Sequence, residues 1–402
     1  MDYSSYFISR LNDYKKNGNY RYLLHLEKFV GELPYAFQHT GQGTEKILIW
    51  CNNDYCGMSQ HPDVLKAMRD SIKLHGAGSG GSRSISGTDI SHIKLERLLA
   101  KLHHKPSALL FSTGYIANEA VISTLGSQLG FTFFSDQENH ASIIQGITKS
   151  KQEKYIFNHC DVDHLEFCLK KCDINKPKII VFESIYSMSG QVAPLKEICA
   201  LAKKYKALTY LDEVHAVGAY GPTGAGIAEE LGVSGEIDII QSGFGKTVGV
   251  MGGYIAGSEE LVDFVRTFAP GFIFTTSMLP CMAEGSYASL THMMTSSRER
   301  DVLHKNVRYL KAKLQEEHIS FLDGGGHIIP VVVGNAIKCK QLTDYLLQEH
   351  KIYIQPIVYP TVPVGQERIR LTPTCNHTFE MIEDLVGALK SFWVDNSVPL
   401  AA

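Results

Sequence analysis

Short apolar runs alternate with helical patterns through the middle of the chain. The apolar or β-rich runs are Ser107–Phe111, Phe131–Phe134, Lys178–Phe182, Ala207–Leu211, Ile237–Ile240 and Gly253–Ala256. Segments with apolar residues at helical spacing lie between several of them, as in His92–Leu102, Val162–Cys172 and Leu195–Tyr205. Strands that are apolar throughout are buried on both faces. The alternation therefore predicts an α/β fold with a mostly parallel sheet covered by helices.

The pattern changes towards both ends of the chain, which divides it into three predicted parts. Residues 1–55 indicate an amphipathic helix followed by an irregular arm, and residues 56–290 hold the alternating segment. Residues 291–402 predict a smaller C-terminal α+β domain. Its expected elements are helix Asp301–Glu317, a strand in HIIPVVVG, helix Cys339–His350, extended chain in IYIQPIVYP and helix Phe379–Trp393.

Composition and charge exclude several classes of function. The 402-residue chain has a net charge of −3 and 20% charged residues, so no excess of one sign points to a nucleic-acid or membrane partner. No window approaches 18 uncharged apolar residues, and the N-terminus has no apolar signal segment, so a cytoplasmic protein is expected. The nine cysteines are scattered without C-x-x-C, which favours reduced thiols and predicts no metal site.

Two charged residues follow adjacent apolar runs, where ligands bind in open α/β sheets. Asp212 ends the run Ala207–Leu211, and by itself it fits a helix N-cap as well as an anion that faces a cationic ligand. Lys246 follows the next run in SGFGK. A Walker A phosphate loop would need glycine where Ile240 stands, so that interpretation fails. A partly desolvated lysine is instead a candidate for carbonyl chemistry.

An aspartate paired with a Schiff-base lysine is what pyridoxal phosphate (PLP) requires, because the carboxylate keeps the pyridine nitrogen protonated. His140 follows another apolar run and could stack on the ring; alone, it would be interpreted as a surface-loop histidine. Thr113, Gly114 and Tyr115 follow the run Ser107–Phe111 and offer a turn at a helix start for the cofactor phosphate. Tyr115 fits a cover over the ring and a buried tyrosine equally well.

With these residues in place, the sequence resembles the α-oxoamine synthases, PLP-dependent enzymes of fold type I that condense an amino acid with an acyl-CoA. The resemblance runs from about Tyr20 to His377. Its motifs are WCNNDYCGMSQHP, GAGSGGSRSISGT, FSTGYIANEA, NHASIIQGI, FESIYSMSG, YLDEVHAVGAYG, GGYIAG, APGFIFTTS and IYIQPIVYPTVPVGQERIRLTPT. It implies a PLP-binding catalytic domain with a mostly parallel seven-stranded sheet, and it is strongest to members that join glycine to succinyl-CoA and release CoA and CO2.

The resemblance also implies a role for each matching residue. For the cofactor, it assigns Lys246 to the Schiff base and to proton transfer at the glycine Cα, Asp212 to the pyridine nitrogen, His215 to the ring hydroxyl, His140 to stacking and Ser187 to the ring oxygen. Thr275 or Thr276 would reach the phosphate of a neighbouring subunit's cofactor, which implies a homodimer with shared active sites. Asn53 and Arg370 would hold the glycine carboxylate, and Thr361, in the lid-like stretch 359–365, would contact the acyl substrate.

Acyl-CoA specificity is where the sequence departs from the pattern. Arg21 matches the arginine that pairs with the distal carboxylate of succinyl-CoA. Ser82 and Ser84, beside Ile85 in the acyl and glycine pockets, stand where threonine and asparagine are usual. That leaves open a sister activity on another acyl-CoA, and with it the pathway, either tetrapyrrole (haem) synthesis or secondary metabolism. Gly243 stands where a phosphate-binding threonine is usual. The hydroxyl group of that threonine would have to come from Ser242 or Thr247.

Two other classes of function fit the sequence less well. A non-catalytic binding protein would have no need of Lys246, Asp212, His215 and His140 together. A nucleotide-dependent oxidoreductase would carry G-x-G-x-x-G after an early strand, and no predicted strand is followed by it.

Overall fold

The computed structural model describes residues 3–395, and the chain within it forms two compact units. The larger unit holds residues 54–187 and 192–300. The smaller holds residues up to Asn53, the short segment Met188–Gln191 and the chain from Asp301 onward. The predicted division into an arm (1–55), a catalytic domain (56–290) and a C-terminal domain (291–402) stays a prediction about independent domains.

The elements are numbered here in chain order over the described residues. The α-helices are α1 Tyr3–Lys16, α2 Pro62–His75, α3 Ile90–Leu102, α4 Gly114–Leu129, α5 Ala141–Ser150, α6 Val162–Lys170, α7 Leu195–Tyr205, α8 Ile227–Glu230, α9 Glu259–Phe268, α10 Pro270–Ile273, α11 Pro280–Thr295, α12 Arg298–Glu316, α13 Ala336–His350 and α14 Phe379–Asp395. The strands are β1 Leu26–Glu27, β2 Tyr35–Thr40, β3 Gly43–Ile49, β4 Ser107–Phe111, β5 Thr132–Asp136, β6 Lys154–Phe157, β7 Lys178–Glu183, β8 Leu208–Asp212, β9 Ile239–Gly243, β10 Gly253–Gly257, β11 Ile329–Val332, β12 Ile352–Tyr353, β13 Pro356–Ile357 and β14 Arg368–Leu371.

The larger unit is built on a seven-stranded sheet in the order β4-β10-β9-β8-β7-β5-β6. Only β10 runs antiparallel, to both of its neighbours, so the predicted mostly parallel sheet is confirmed. Each of the six predicted strands is present, with ends that differ by at most three residues. The seventh strand, β6, was not located from the sequence because it is a four-residue edge strand in which Lys154 and Ile156 are exposed.

The central strands of this sheet are buried along their whole length, as are the polar residues that end them. Strands β5, β7 and β9 contain only buried residues, and helices α4 and α5 cover one face of the sheet. Parallel strands present their carboxyl ends at one edge of a sheet. Asp136, Glu183, Asp212 and Gly243, the last residues of β5, β7, β8 and β9, therefore lie side by side at that edge.

The smaller unit contains two small sheets, one of which includes residues that the sequence predicted to be an irregular arm. Strands β1, β2 and β3 form an antiparallel ladder that β12 extends in parallel, so the prediction of an irregular arm was wrong. Strand β1 has only two residues and only the last three residues of β3 are buried, so no long apolar run marks this ladder. Strands β11, β14 and β13 form the second sheet. Among residues 3–395, no helix combines the length and the apolar character that crossing a membrane requires.

We expect Gly253→Ala to destabilise the larger unit. A Cβ at this first residue of β10 would lie 2.4 Å from the Gly114 nitrogen and 2.5 Å from the Thr113 carbonyl carbon, so backbone would have to move. Overpacking of this kind typically costs about 1–3 kcal/mol. The matched control is Gly387→Ala, at an exposed helical position with no atom within 4 Å, where stability should rise by roughly 0.5–1 kcal/mol. Denaturant unfolding of both variants measures the difference; equal midpoints would contradict the prediction.

Candidate active site

Asp212 is a buried carboxylate held by neutral donors at the carboxyl edge of the sheet. Asn118 Nδ2 donates to its Oδ2 at 2.7 Å, and the Val214 backbone N–H donates to its Oδ1 at 2.9 Å. A turn follows, and no helix begins there, so the helix N-cap interpretation of Asp212 was wrong. Strand pairing sets Asp212 beside Glu183 on one side and Gln241 on the other.

The environment of Asp212 suits a cationic ligand. The residue is only 3% exposed. Burial raises the pKa of its carboxyl group, and the hydrogen bonds from Asn118 and Val214, then the nearby His140 and Lys246, oppose that rise. A buried carboxylate of this kind needs a positive partner, and the protonated pyridine nitrogen of PLP would provide one.

A hydrogen-bonded chain of side chains connects Asp212 to His140. Tyr210 Oη donates to Asn118 Oδ1 at 2.9 Å, and Asn118 Nδ2 donates both to Asp212 and, at 3.0 Å, to Ser142 Oγ. Ser142 Oγ in turn lies 2.7 Å from His140 Nδ1. Since Ser142 accepts from Asn118, its hydroxyl proton is directed at His140, whose Nδ1 also accepts from the Ser142 backbone N–H at 3.3 Å. The buried amide of Asn118 thus fixes both groups.

His140 caps helix α5 and presents a neutral ring. Desolvation lowers the pKa of His140, and Lys246 acts in the same direction while Asp212 opposes it. The ring meets that of Tyr115 edge to face, with centroids 6.2 Å apart. Tyr115 is 42% exposed, so the buried-tyrosine interpretation was wrong. The two aromatic residues that the sequence predicted around the cofactor ring therefore do lie together.

Glu183 is a second buried carboxyl group at the same edge, and the sequence prediction missed it. Its Oε1 accepts from the His140 backbone N–H at 2.6 Å, which holds the start of α5 against the end of β7. Burial, reinforced by Asp212, raises the pKa of Glu183 well above its ordinary value. Burial therefore favours the protonated form of Glu183.

Lys246 lies in a closed turn after β9, within electrostatic range of Asp212 and His140. The Gly249 N–H donates to the Lys246 carbonyl at 2.8 Å, and the Val250 N–H donates to the Phe244 carbonyl at 3.0 Å. These two hydrogen bonds close the loop and fix the backbone position of Lys246. The side chain is partly exposed, as a group that exchanges partners during a reaction must be.

The start of helix α4 offers backbone N–H groups for a phosphate. Thr113 caps the helix by accepting from the Ile116 N–H at 3.1 Å, which leaves Gly114 and Tyr115 at the open N-terminus. Gly243 packs here: a Cβ on it would lie 3.6 Å from Gly114 Cα and 3.2 Å from Val214 Cγ2. A threonine would crowd this contact, so glycine favours a closer approach of α4 to β9. The Thr247 hydroxyl is buried without a hydrogen-bond partner among the described residues.

His215 is oriented by a tyrosine that the sequence prediction did not include. Tyr55 Oη lies 2.9 Å from His215 Nδ1, and both side chains are buried. The ring therefore has a fixed orientation before any ligand arrives. Ser187, predicted near the ring oxygen, follows the end of β7 by four residues in the same unit.

The loop with Ser82, Ser84 and Ile85 is anchored by a bidentate ion pair. Arg83 Nη1 and Nη2 donate to the two carboxylate oxygens of Glu96 at 2.7 and 3.1 Å, and both side chains are nearly buried. Ser82 also forms a β-bridge with Thr276. The structure therefore brings together two segments that the sequence assigned separately, one to the acyl pocket and one to a neighbouring cofactor.

The smaller unit holds the four remaining predicted site residues as two pairs. Arg370 Nη1, on β14, donates to Asn53 Oδ1 at 3.0 Å, so the two residues assigned to the glycine carboxylate are in contact. Arg21 Nη2 donates to Thr361 Oγ1, which joins the two residues assigned to the acyl chain. In each pair a neutral side chain accepts a hydrogen bond from a guanidinium and so orients it.

We expect Asn118→Ala to weaken binding of PLP, the predicted cofactor, about 10- to 100-fold, since a buried group deprived of its hydrogen-bond partner costs about 1–3 kcal/mol. Asp212 and Ser142 would both lose their donor. The control is Tyr210→Phe, which removes only the bond to Asn118 Oδ1 and should have a smaller effect. Equilibrium titration of the apoprotein with PLP gives both affinities. Unchanged affinity for Asn118→Ala would remove Asn118 from the site.

Comparison with known proteins agrees with this geometry. The family model of the class I and II aminotransferases matches residues 45–389. A 5-aminolevulinate synthase of Rhizobium meliloti is 49% identical over 394 residues, which cover 98% of both chains, and one of Paracoccus denitrificans is 48% identical, covering 98% of this chain and 97% of its own.

A solved structure supports the same conclusion. A serine palmitoyltransferase from S. paucimobilis, a variant with bound PLP and myriocin, superposes with a TM-score of 0.92 at 28% identity, covering 99% of this chain and 100% of its own. The predicted fold type is thereby confirmed. The chain belongs to the class I and II aminotransferase family and, within it, to the 5-aminolevulinate synthases.

Proposed function

We propose that this protein is a PLP-dependent acyltransferase that condenses glycine with succinyl-CoA to give 5-aminolevulinate, CoA and CO2. The observation that carries the proposal is the pairing of two arginines with neutral partners, Arg370 with Asn53 and Arg21 with Thr361, in the smaller unit. Glycine and succinyl-CoA each bear a free carboxylate. Near-full-length identity of 45–49% to curated 5-aminolevulinate synthases supports the same reaction.

The residues of the larger unit suit PLP, which when bound supplies an electron-accepting ring that stabilises negative charge at the glycine Cα. Lys246 would hold the cofactor and would remove a proton from the glycine Cα. Asp212 would keep the pyridine nitrogen protonated, and His215 would bind the ring hydroxyl. His140 would stack on the ring, with Ser187 near the ring oxygen. Thr113, Gly114 and Tyr115 would bind the phosphate at the start of α4.

The residues of the smaller unit suit the two carboxylates. Arg370, 6% exposed and oriented by Asn53, binds the glycine carboxylate through its planar fork. Arg21, oriented by Thr361, binds the distal carboxylate of the succinyl group. Ser82, Ser84 and Ile85 border the acyl group on the anchored loop of the larger unit, where their small hydroxyls leave more room than threonine and asparagine would.

The proposed reaction is tested by CoA release from the PLP-loaded enzyme with glycine and a panel of acyl-CoAs, with the aminoketone identified by mass. We expect succinyl-CoA to be turned over with the highest kcat/KM, because only its acyl chain ends in a carboxylate that Arg21 can neutralise. Preference for an uncharged acyl chain would make the enzyme a sister α-oxoamine synthase and would direct attention to Ser82 and Ser84.

We expect Arg21→Ala to reduce kcat/KM for succinyl-CoA about 100-fold or more, because hydrogen bonds to a charged group are each worth about 1.5–3 kcal/mol. The same variant should change kcat/KM for butyryl-CoA, which lacks the distal carboxylate, by less than threefold. Thr361→Val, which only frees the guanidinium, should lie between the two. Equal losses on both acyl-CoAs would assign Arg21 to structure rather than to carboxylate binding.

We also propose that the active unit is a homodimer with shared active sites. Two large apolar side chains beside the Ser82–Thr276 bridge are unprotected: Ile85 is 72% exposed and Phe274 is 82% exposed. Apolar groups of this size in adjoining segments favour a protein–protein contact. Thr275 and Thr276 directly follow Phe274, so a second copy seated on this surface would receive them beside its own cofactor phosphate.

We expect Phe274→Asp to shift the protein from dimer to monomer, since a carboxylate would have to be buried in the proposed contact. The matched control is Phe167→Asp, at a phenylalanine that is 54% exposed on helix α6, where the oligomeric state should not change. Size-exclusion chromatography with light scattering measures both masses. A dimer that survives Phe274→Asp would exclude this surface as the contact.

The cytoplasm is the proposed compartment. All nine cysteines are free thiols in the structure, which is the state that a reducing compartment maintains.

A further inference from the structure

Two histidines and two carboxylates meet where helix α2 begins and helix α11 ends, in the larger unit. His61 caps α2, Asp63 lies in its first turn, and His292 lies in the last turn of α11. The two imidazole rings are 4.2 Å apart between centroids, tilted by 40°. One ligand atom each from His61, Asp63 and His292 lies within 4.8 Å of the others. We name these three residues the α2–α11 cluster.

Glu299 sets the tautomer of one of these rings. Its Oε2 lies 3.1 Å from His292 Nε2. An ionised carboxylate only accepts hydrogen bonds, so Nε2 carries the proton and the lone pair of a neutral His292 is on Nδ1. A carboxylate behind a metal-binding histidine in this way is the usual means of orienting the ring and raising its basicity.

The other ring, that of His61, lies beside Asp63. Its Nδ1 accepts a hydrogen bond from the Asp63 backbone N–H at 3.3 Å, which a metal ion on that nitrogen would replace. Asp63 Oδ2 lies 3.8 Å from His61 Nδ1, with its side chain largely exposed. The carboxylate is therefore free to turn towards a cation that the two rings hold.

We propose that the α2–α11 cluster is a binding site for a divalent transition-metal ion of the zinc type, with His61, His292 and Asp63 as ligands and Glu299 as the outer carboxylate on His292. Two imidazole nitrogens and one carboxylate oxygen, open to water, are a ligand set that zinc accepts, with water as the fourth ligand. Zinc–nitrogen bonds of about 2.0–2.1 Å place ligand atoms roughly 3.3 Å apart, so small side-chain rotations complete the site. Magnesium and calcium prefer oxygen ligands.

A second cluster of potential metal ligands has a geometry that suits a metal ion less well. Asp136, His159 and Cys160 also bring three ligand atoms within 4.8 Å. Cys160 Sγ, however, lies 3.8 Å from both ring nitrogens of His159, so it faces neither lone pair. Asp136 already bonds His159 Nδ1 at 2.9 Å and accepts from the Cys160 and Glu138 backbones. Burial also raises the pKa of the Cys160 thiol, which opposes the thiolate a metal needs.

A metal ion in the α2–α11 cluster would connect the first turn of α2 to the last turn of α11. These helices pack along each other in the larger unit, so the ion would stabilise the folded form by mass action without taking part in the reaction. The sequence predicted no metal site because metal ligands were expected close together in the chain. His61 and His292 are far apart in the sequence and meet only in the folded protein.

The test is calorimetric titration of the PLP-loaded protein with Zn2+ alone, and separately with Mg2+. We expect one Zn2+ per chain, no Mg2+ binding, and a higher thermal unfolding midpoint with Zn2+. His61→Ala and His292→Ala should each abolish this binding, and Glu299→Gln should weaken it about 10- to 100-fold. His61→Asn keeps a residue that caps helices and serves as the replacement if His61→Ala unfolds.

The matched control is His75→Ala. His75 Nδ1 lies 3.8 Å from Asp89 Oδ2, the same distance as between His61 Nδ1 and Asp63 Oδ2. His75 is not one of the proposed metal ligands. This variant should bind Zn2+ like the unaltered protein. Zn2+ binding that persists in the double variant His61→Ala/His292→Ala, or its absence from the unaltered protein, would overturn the proposal. Retention of PLP absorbance by every variant separates loss of the metal site from loss of the fold.

Discussion

The burial of one carboxylate, that of Asp212, is the constraint on which the site in the larger unit depends. A charge at the end of an apolar strand is unfavourable unless polar partners surround it. The fold supplies them from four different elements: Asn118 on α4, Val214 in the turn, His140 at the start of α5 and Lys246 after β9. The same interactions that make the buried charge tolerable therefore also bring Asp212 close to His140 and Lys246, two of the residues predicted to hold the cofactor.

The division of labour between two carboxyl groups follows from their surroundings. Glu183 and Asp212 are strand neighbours in a buried sheet, and two adjacent charges there would repel. Asp212 receives two hydrogen bonds and faces two basic residues, whereas Glu183 receives one bond, from the His140 backbone. Burial and the neighbouring Asp212 therefore raise the pKa of Glu183 well above its ordinary value. The hydrogen bond that Glu183 accepts from the His140 backbone N–H holds the start of α5, and with it the His140 ring, at the sheet edge.

Close backbone contacts set the position of the turn that is predicted to bind the cofactor phosphate. Gly114, Gly243 and Gly253 come from α4, β9 and β10, and each lacks the side chain that would separate these elements. The absence of threonine at position 243 is therefore consistent with the packing. A hydroxyl is lost, and the N-terminus of α4, with its unbonded N–H groups and its dipole, comes closer to the sheet instead.

Sequence reasoning recovered what local pattern encodes. Apolar runs gave six strands of the main sheet, and residues directly after them gave Asp212, His140 and Lys246, because ligands bind where parallel strands end. Strands β6, β1, β2 and β3 were missed: β6 is a four-residue edge strand with two exposed residues, and only the last three of the seven residues of β3 are buried. Asn118 and Tyr55 were not predicted to belong to the site, although both lie within motifs that resemble those of the family. The asparagine in the motif FSTGYIANEA is Asn118, whose side-chain amide connects Asp212 to Ser142 and so to His140.

The sequence by itself determined the chemistry of this protein: a lysine, an aspartate and a histidine at strand ends, and two arginines suited to carboxylates. Only the tertiary structure decided which groups share a proton, which side chain orients which, and which distant residues meet, such as Arg21 with Thr361 and His61 with His292. The physical reason is range. Hydrophobic periodicity and strand-end positions are properties of neighbouring residues, whereas hydrogen bonds, pKa shifts and ligand clusters depend on contacts that the packing of remote segments creates.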